Sequence, residues 1–373
     1  MSEPIRIIHL SDLHLDERDP RFDRHCDVLR SMVDMAAQRA GGCPAAWLVT
    51  GDVFGHDTEH ATTLREREAF ADILQRTAVA PVVIVRGNHD GRGEVRFFRR
   101  LGTVPPSTAD ACITVHPVTI ELTVVAVPWP RLGDYVSSDV APAERAARAQ
   151  RALETAIRSA CERARNNGGV VVLAGHLAVA GARAGVYEVS GADVMVVSRA
   201  FLESLPIAAA CLGHIHEGQS LGPRIHYAGS PVPLRHGEGD EKGFSILTVS
   251  AGDVGYDRFV VPSWRMVTVD YAGEFVPDLS HVRDAYVRCR VHGALTRSQM
   301  ATVREQVLAA GAFDVVVRTA DEEHAPAAVP PPRSMTDEER IAAALKARGV
   351  LPPEDARALS LFGELRGDDG RDG

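Results

Sequence analysis

The stretch IRIIHLSDLHL, residues 5–15, decides the fold, because an apolar run rich in isoleucine passes directly into a polar cluster. Its apolar half does not alternate with polar side chains, which is typical of a strand buried on both faces. The same transition occurs in four more stretches: AWLVTGDVF (46–54), VVIVRGNHD (82–90), VVVLAGH (170–176) and AAACLGHIH (208–216). These stretches predict five buried strands, each ending in a polar loop.

Helical patterns lie between several of these strands. One spans about 61–78 and another about 143–166, where Pro142 precedes the helix and a run of asparagine and glycine ends it. A further apolar run at 123–128 also predicts a strand buried on both faces, and turn residues bound later strands at 225–229, 244–249 and 256–261, which we expect to be antiparallel additions. Strands alternating with helices place the core in the α/β class.

Composition narrows the class of protein. The chain has 373 residues, 45% of them hydrophobic and 24% charged, as in an ordinary globular protein. It contains neither an apolar run long enough to cross a membrane nor a signal-peptide pattern, so we expect a cytoplasmic location and no membrane contact. The six cysteines form no CxxC pair, which favours buried thiols. A net charge of −9 argues against a protein that coats DNA by charge alone.

The pattern restarts after about residue 266. A strand at 282–293, a helix at 299–311 and a strand at 313–319 predict a small β-α-β capping domain. From residue 321 the chain becomes rich in proline, and 321–373 carries 12 acidic and 7 basic side chains. We therefore predict three parts: a main domain at 1–265, a capping domain at 266–320, and a linker with C-terminal helices at 321–373.

Metal-ligand side chains follow all five buried strands. Ligands bind at the carboxyl ends of the strands in open α/β sheets, so these side chains are expected to meet at one rim. The candidate ligands are Asp12, His14, Asp52, Asn88, His176, His214 and His216. Carboxylate, imidazole and amide donors together suit Mn, Fe or Zn. Seven donors are too many for one tetrahedral ion and fit two ions that share a carboxylate. A single DxH or HxH is common by chance, but five such clusters in series are not.

The series DLH, GDVF, GNHD, GH and GHIH resembles the motifs of the calcineurin-like metallophosphoesterases over about residues 1–265. The resemblance implies a four-layer α-β-β-α sandwich with a centre of two divalent metal ions. It also implies the role of each matching residue, and those roles fall into four groups. Asp12, His14 and His216 would bind the first ion, Asn88, His176 and His214 the second, Asp52 would bridge them, and His89 would be the catalytic residue that faces the scissile phosphate.

The chemistry of phosphodiester hydrolysis agrees with these roles. Two cations neutralise the anionic phosphodiester and lower the pKa of a water molecule. The leaving alcohol needs a proton, which a histidine supplies near neutral pH. The carboxylate of Asp90, next to His89, either orients the histidine ring or caps the turn, and the sequence leaves both open.

The segment YAGSPVPLRHGEGDEKGFSILTV, residues 227–249, resembles the SbcD nuclease subunits of bacterial SbcCD complexes. That resemblance implies a manganese-dependent exonuclease and endonuclease acting at DNA ends or hairpins in DNA repair and recombination. It also implies a homodimer formed by helices near 61–78 and 91–100, and an SbcC-type coiled-coil ATPase docked on LSLFGEL (359–365).

Two features near the site leave alternatives open. Gly55 stands where related nucleases often have a histidine, and His56 comes one residue later, as a substrate contact or a solvated loop residue. Four arginines either line the path of DNA or form a solvated helix face: Arg92, Arg96, Arg99 and Arg100. A general or cyclic-nucleotide phosphodiesterase is the main alternative function, and a non-catalytic scaffold is disfavoured by the intact set of ligands.

Overall fold

The computed structural model describes most of the chain up to residue 319. The described ranges are 4–41, 44–55, 61–77, 80–100, 107–184, 187–188, 195–238, 241–250, 253–272, 277–293 and 295–319. His56 and the predicted linker and helices at 321–373 lie outside the described residues.

Strands and helices alternate along the first half of the chain. The strands are β1 (Ile5–Leu10), β2 (Ala46–Val49), β3 (Val82–Val85), β4 (Ser107–Ala109), β5 (Thr114–Thr119), β6 (Leu122–Val127), β7 (Val170–His176), β8 (Ala178–Val179), β9 (Arg183–Ala184), β10 (Tyr187–Glu188), β11 (Val196–Val197), β12 (Ala209–Gly213), β13 (Gln219–Ser220), β14 (Ile225–Tyr227), β15 (Gly243–Ser250), β16 (Asp253–Val260), β17 (Arg265–Ala272), β18 (Ala285–His292) and β19 (Asp314–Thr319). The helices are α1 (Phe22–Arg39), α2 (Leu64–Arg76), α3 (Glu94–Phe97, followed by a 3-10 turn), α4 (Leu132–Tyr135), α5 (Pro142–Arg165), α6 (Arg199–Glu203) and α7 (Arg297–Ala309).

Two six-stranded sheets form the main body. The first has the order β16-β15-β1-β2-β3-β4, in which β1 to β4 run parallel and β15 pairs antiparallel with β1. The second has the order β13-β14-β12-β7-β6-β5, with β6, β7, β12 and β14 parallel. Parallel neighbours bring the ends of β1, β2 and β3 together on one sheet and the ends of β7 and β12 together on the other.

The strands are buried on both faces, as the lack of alternation predicts. In β2, Trp47 and Val49 join the core between the first sheet and α1 and α2, whereas Ala46 and Leu48 join a core between the two sheets. A third core lies between the second sheet and α5 and α6. Each fully buried aliphatic side chain contributes about 1.5–3 kcal/mol. The four-layer α-β-β-α sandwich is therefore confirmed.

The structure adds elements that the sequence patterns did not reveal. Helix α1 begins after Arg21 without a side-chain cap, whereas α2 begins with a capping box between Thr63 and Glu66. Strand β17 was also missed, although Val269 and Tyr271 are buried on alternate positions. It joins a three-stranded sheet in the order β17-β18-β19, so the predicted β-α-β pattern has one strand more than expected.

The described residues divide into two compact units. The larger unit comprises the chain up to Thr268 with Leu279–Arg288 and Val307–Val315. The smaller comprises Val269–Asp278, Cys289–Gln306 and the described residues after Val315. The boundaries at 265 and 320 remain predictions. Among the described helices, none is long and apolar enough to cross a membrane.

Candidate metal centre

The loops that carry the predicted ligands have an unusual backbone. Among the described residues, five that are not glycine have a positive φ, and four of the five are predicted ligands. These four are Asp12 (53°), His14 (47°), Asp52 (49°) and His214 (98°). Such a conformation costs about 1–3 kcal/mol for a residue with a side chain. The fold maintains it where each strand ends and turns its ligand into the site.

Asp12, His14 and His216 form one group of donor atoms, all within 4.8 Å of one another. The Nε2 atoms of His14 and His216 are 3.1 Å apart. The Nδ1 atom of His216 lies 3.0 Å from Oε1 of Glu238, which fixes the proton on Nδ1 and directs the Nε2 lone pair into the group. The arrangement has the donor chemistry of a cation site.

Asn88, His176 and His214 form a second group. Oδ1 of Asn88 lies 3.0 Å from Nε2 of His176 and 2.9 Å from Nδ1 of His214. His176 donates from Nδ1 to the carbonyl oxygen of Thr50 over 2.7 Å, so its Nε2 faces the other donors. One amide oxygen and two imidazole nitrogens therefore converge on one point.

Asp52 lies between the two groups. Its Oδ2 is 3.6 Å from Nε2 of His14 and 3.3 Å from Nε2 of His176, while Oδ1 accepts the backbone N–H of His89 over 2.8 Å. Asp12, Asp52 and His176 also bring their donor atoms within 4.8 Å of one another. The position suits a carboxylate shared by two cations.

Burial and mutual charge prepare these side chains to bind cations. Burial lowers the pKa of His214 to about 3 and that of His14 well below its usual value, so both imidazoles are neutral. Burial raises the pKa of Asp52, but its histidine neighbours outweigh burial and hold the carboxyl ionised. Burial lowers the pKa of His176, and the charge of Asp52 more than reverses this, to about 9. A cation at this position would replace the proton of His176.

Two glycines allow the loops to approach this closely. A Cβ atom on Gly87 would lie 2.1 Å from Oδ1 of Asp52, and one on Gly213 would lie 2.0 Å from Oγ of Ser11. Neither distance is compatible with a side chain. The glycines before Asn88 and His214 thus permit the close approach of these loops.

Asp90 caps the turn. Its two carboxylate oxygens accept the backbone N–H groups of Phe54 (3.0 Å) and Gly87 (2.8 Å), which joins the loops after β2 and β3. Burial, followed by the charge of Asp52, raises its pKa to about 7. Of the two roles left open by the sequence, these contacts support turn capping.

Several residues around the site were not identified from the sequence. Fully buried Arg86 donates to the carbonyl oxygens of Asp110, Gly87 and Trp129, and so ties together three loops. The half-buried indole of Trp129 lies with its ring centroid 4.5 Å from that of His214. Arg86 directly precedes the GNHD motif, which is the only sequence signal for these roles.

Three of the four arginines predicted near the site pair with residues of this chain. Arg92 forms an ion pair with Asp134, and Arg96 places Nε 3.2 Å from Oδ2 of Asp110. Arg99 donates to the hydroxyl and to the carbonyl oxygen of Thr108. The side chains of Arg92 and Arg96 remain about half exposed, so solvent still reaches their charges although each is paired with an aspartate.

Comparison with known proteins identifies the family of the chain. The family model of the calcineurin-like phosphoesterases matches residues 5–218, which is more than half of the chain. The chain therefore belongs to the calcineurin-like phosphoesterase family, whose members are metal-dependent phosphoester hydrolases. A crystal structure from Staphylococcus aureus assigned as a 5′-nucleotidase matches with 12% identity and a TM-score of 0.42, covering 69% of this chain. The present chain spans 53% of that protein.

Proposed function

We propose that the protein is an SbcD-like DNA nuclease subunit that hydrolyses phosphodiester bonds at DNA ends or hairpins. The observation that carries this proposal is the role of 227–249, the segment with the SbcD resemblance. Its Glu238 binds the imidazole of His216, and its Lys242 and the N–H of Ser230 each donate to the carbonyl oxygen of His216 over 3.0 Å. The segment thus supports a candidate ligand directly.

The two donor groups fit two divalent cations, and Mn²⁺ suits their mixture of carboxylate, imidazole and amide. Such ions, when bound, stabilise charge on the phosphate and lower the pKa of a water molecule. Asp12, His14 and His216 would hold one ion, and Asn88, His176 and His214 the other. Asp52 would contact both.

His89 is the proposed proton donor. Its backbone N–H holds Asp52, and its half-buried ring lies with its centroid 5.0 Å from that of His14, beside the ligands. A protonated imidazole there gives its proton to the leaving alcohol oxygen as the P–O bond breaks.

The proposed partners are DNA, a second copy of the chain and an SbcC-type ATPase. Two exposed apolar side chains support the homodimer: Leu64 on α2 is 69% exposed and Phe97 on α3 is 55% exposed. Both belong to the segments implicated by the sequence resemblance. The C-terminal segment 321–373 is the proposed docking site for the ATPase.

A phosphodiesterase for small substrates is the second candidate function. The ion pairs of Arg92 and Arg96 favour it, because they reduce the positive charge available to a DNA backbone. A panel of substrates with added Mn²⁺ separates the two candidates. Turnover of linear duplex, hairpin and single-stranded DNA supports the nuclease. Turnover confined to bis-p-nitrophenyl phosphate or cyclic nucleotides contradicts it.

Deletion of residues 334–373 tests the ATPase partner. We expect the shortened protein to cleave single-stranded DNA with Mn²⁺ as the full chain does, since the candidate ligands all precede residue 217. It should no longer bind the ATPase in a pull-down or by size-exclusion chromatography. Binding retained at full affinity would contradict the docking role.

A further inference from the structure

A chain of buried hydrogen bonds leads to His176 from β16, the edge strand of the first sheet. The hydroxyl of Tyr256 lies 2.8 Å from Nδ1 of His9, and Nε2 of His9 lies 2.8 Å from Oγ1 of Thr50. The carbonyl oxygen of Thr50 then accepts from Nδ1 of His176 over 2.7 Å. Tyr256, His9 and Thr50 are not among the candidate ligands.

The available donors fix the direction of each bond. The hydroxyl of Thr50 donates to the carbonyl oxygen of Leu10 over 3.3 Å, so it accepts from the N–H at Nε2 of His9. His9 then has its lone pair on Nδ1 and accepts from the hydroxyl of Tyr256. Burial lowers the pKa of His9 to about 3, which keeps this imidazole neutral. Each polar atom along the chain has a partner.

The chain of hydrogen bonds connects the two sheets at the rim where the ligands meet. His9, Thr50 and Tyr256 belong to β1, the end of β2 and β16 of the first sheet, whereas His176 ends β7 of the second. His9, Thr50 and His176 are fully buried. The hydroxyl of Ser11 also donates to the carbonyl oxygen of Thr50 over 3.2 Å, and the ring of His226 stacks on that of Tyr256. Loss of one hydroxyl along the chain of hydrogen bonds therefore costs a buried hydrogen bond and allows these neighbouring polar groups to rearrange.

The peptide between Thr50 and Gly51 also contacts the ring of His176. A Cβ atom on Gly51 would lie 2.2 Å from Nδ1 of His176, and Gly51 has a φ of +99°. The backbone N–H of Thr50 donates to the carbonyl oxygen of Leu10 over 2.9 Å. A shift of this peptide would therefore rotate the imidazole or break its hydrogen bond.

We propose that His9, Thr50 and Tyr256 are positioning residues that set the ring orientation and the tautomer of His176 for cation binding. The proposal rests on the metal centre proposed above and is independent of whether the substrate is DNA. It differs from a purely structural role, in which the same hydrogen bonds only stabilise the core. A structural role predicts a loss of stability with unchanged affinity for cations.

Isothermal titration of the full-length, cation-free protein with Mn²⁺ tests the proposal. Thr50→Val removes the hydroxyl at nearly constant shape, and we expect the affinity of one of two Mn²⁺ sites to fall about 10–100-fold. Thr50→Ser restores the hydroxyl and should bind Mn²⁺ within about 3-fold of the unaltered protein. Tyr256→Phe, one step further away, should weaken the same site by a smaller factor.

Thr77→Val is the matched control. Thr77 is also buried, and its hydroxyl also donates to a backbone carbonyl, that of Leu74, over 2.8 Å at the end of α2. It should lower the unfolding temperature and leave both Mn²⁺ affinities unchanged. If Thr50→Val fails to fold, Tyr256→Phe and Thr50→Ser decide the question.

Unchanged Mn²⁺ affinities in both Thr50→Val and Tyr256→Phe, with only a lower unfolding temperature, would overturn the positioning role. An equal loss of affinity in Thr77→Val would overturn it as well. Neither result touches the proposed function, because the unaltered protein still binds Mn²⁺. Failure of the unaltered protein to bind Mn²⁺ would instead contradict the metal centre itself.

Discussion

The two halves of the candidate metal centre are supported in different ways. His216 is oriented by a side chain, Glu238, and its own side chain is 19% exposed. His176 is fully buried and is oriented by a backbone carbonyl, that of Thr50. One ligand thus depends on a carboxylate that a single substitution removes, and the other on the course of strand β2. The comparison teaches that equivalent ligands can depend on very different parts of the sequence.

The largest effect is expected from Asp52→Ala, which should weaken both halves of the candidate metal centre. Asp52 lies within 3.6 Å of His14 and 3.3 Å of His176, so Asp52→Ala should weaken cation binding on both sides. We expect hydrolysis of bis-p-nitrophenyl phosphate to fall by more than about 10⁴-fold, since both cations contribute to the acceleration. Titration with Mn²⁺ and steady-state kinetics measure the two effects. Retention of either affinity would show that Asp52 is not shared.

His89→Ala should separate catalysis from cation binding. His89 donates its backbone N–H to the shared carboxylate, and alanine retains this hydrogen bond. We expect both Mn²⁺ affinities to stay within about 3-fold, while kcat falls about 10²–10⁴-fold, the usual contribution of a general acid. The loss of kcat is measured on DNA and on a substrate with an aryl leaving group. The aryl leaving group needs little protonation, so its kcat should fall less. Normal turnover of DNA would contradict the assigned role.

Glu238→Gln should affect only the half that contains His216. The loss of the carboxylate should lower one Mn²⁺ affinity about 10–100-fold and leave the other unchanged. A fall in both affinities would contradict the separation of the two halves. Thr50→Val should have the converse effect and weaken only the half that contains His176.

Glu238→Gln should also change the stability of the cation-free protein at acidic pH. Burial raises the pKa of Glu238, but the hydrogen bond with His216 and the charge of Lys242 lower it to about 2. A carboxyl whose pKa is lowered on folding stabilises the protein above its unfolded pKa, near 4.3, and this stability is lost as the pH falls toward 2. The difference in unfolding free energy between the protein and Glu238→Gln should therefore shrink from pH 5 to pH 2. A constant difference would contradict the lowered pKa.

Much of the site could be predicted because each candidate ligand either ends a buried strand or lies in the short loop after one. The apolar run predicts the strand, the position after it places the residue at the rim of the sheet, and the residue type indicates the chemistry. The groups that support the ligands could not be predicted in this way. A backbone carbonyl such as that of Thr50 has no side-chain signal. Glu238 lies among several acidic residues, and only the folded loop selects it.

The fold was predictable to a similar degree. Strands with continuous apolar runs, such as β1, β3 and β7, were identified close to their observed bounds. Helix α1 and strand β17 were missed, since α1 lacks a side-chain cap and β17 alternates on a partly exposed surface. The family resemblance, rather than periodicity, supplied the sandwich of two sheets.

The left-handed backbone at Asp12, His14, Asp52 and His214 has a consequence for how this sequence is to be understood. Glycine occupies that conformation with little penalty, whereas a residue with a side chain is held there at a cost. Asp12 and Asp52 offset part of that cost, because their carboxylates accept the backbone N–H groups of His214 and His89. Glycine at His14 or His214 would relieve strain and remove a candidate donor in the same change, so stability and cation binding are expected to move in opposite directions there.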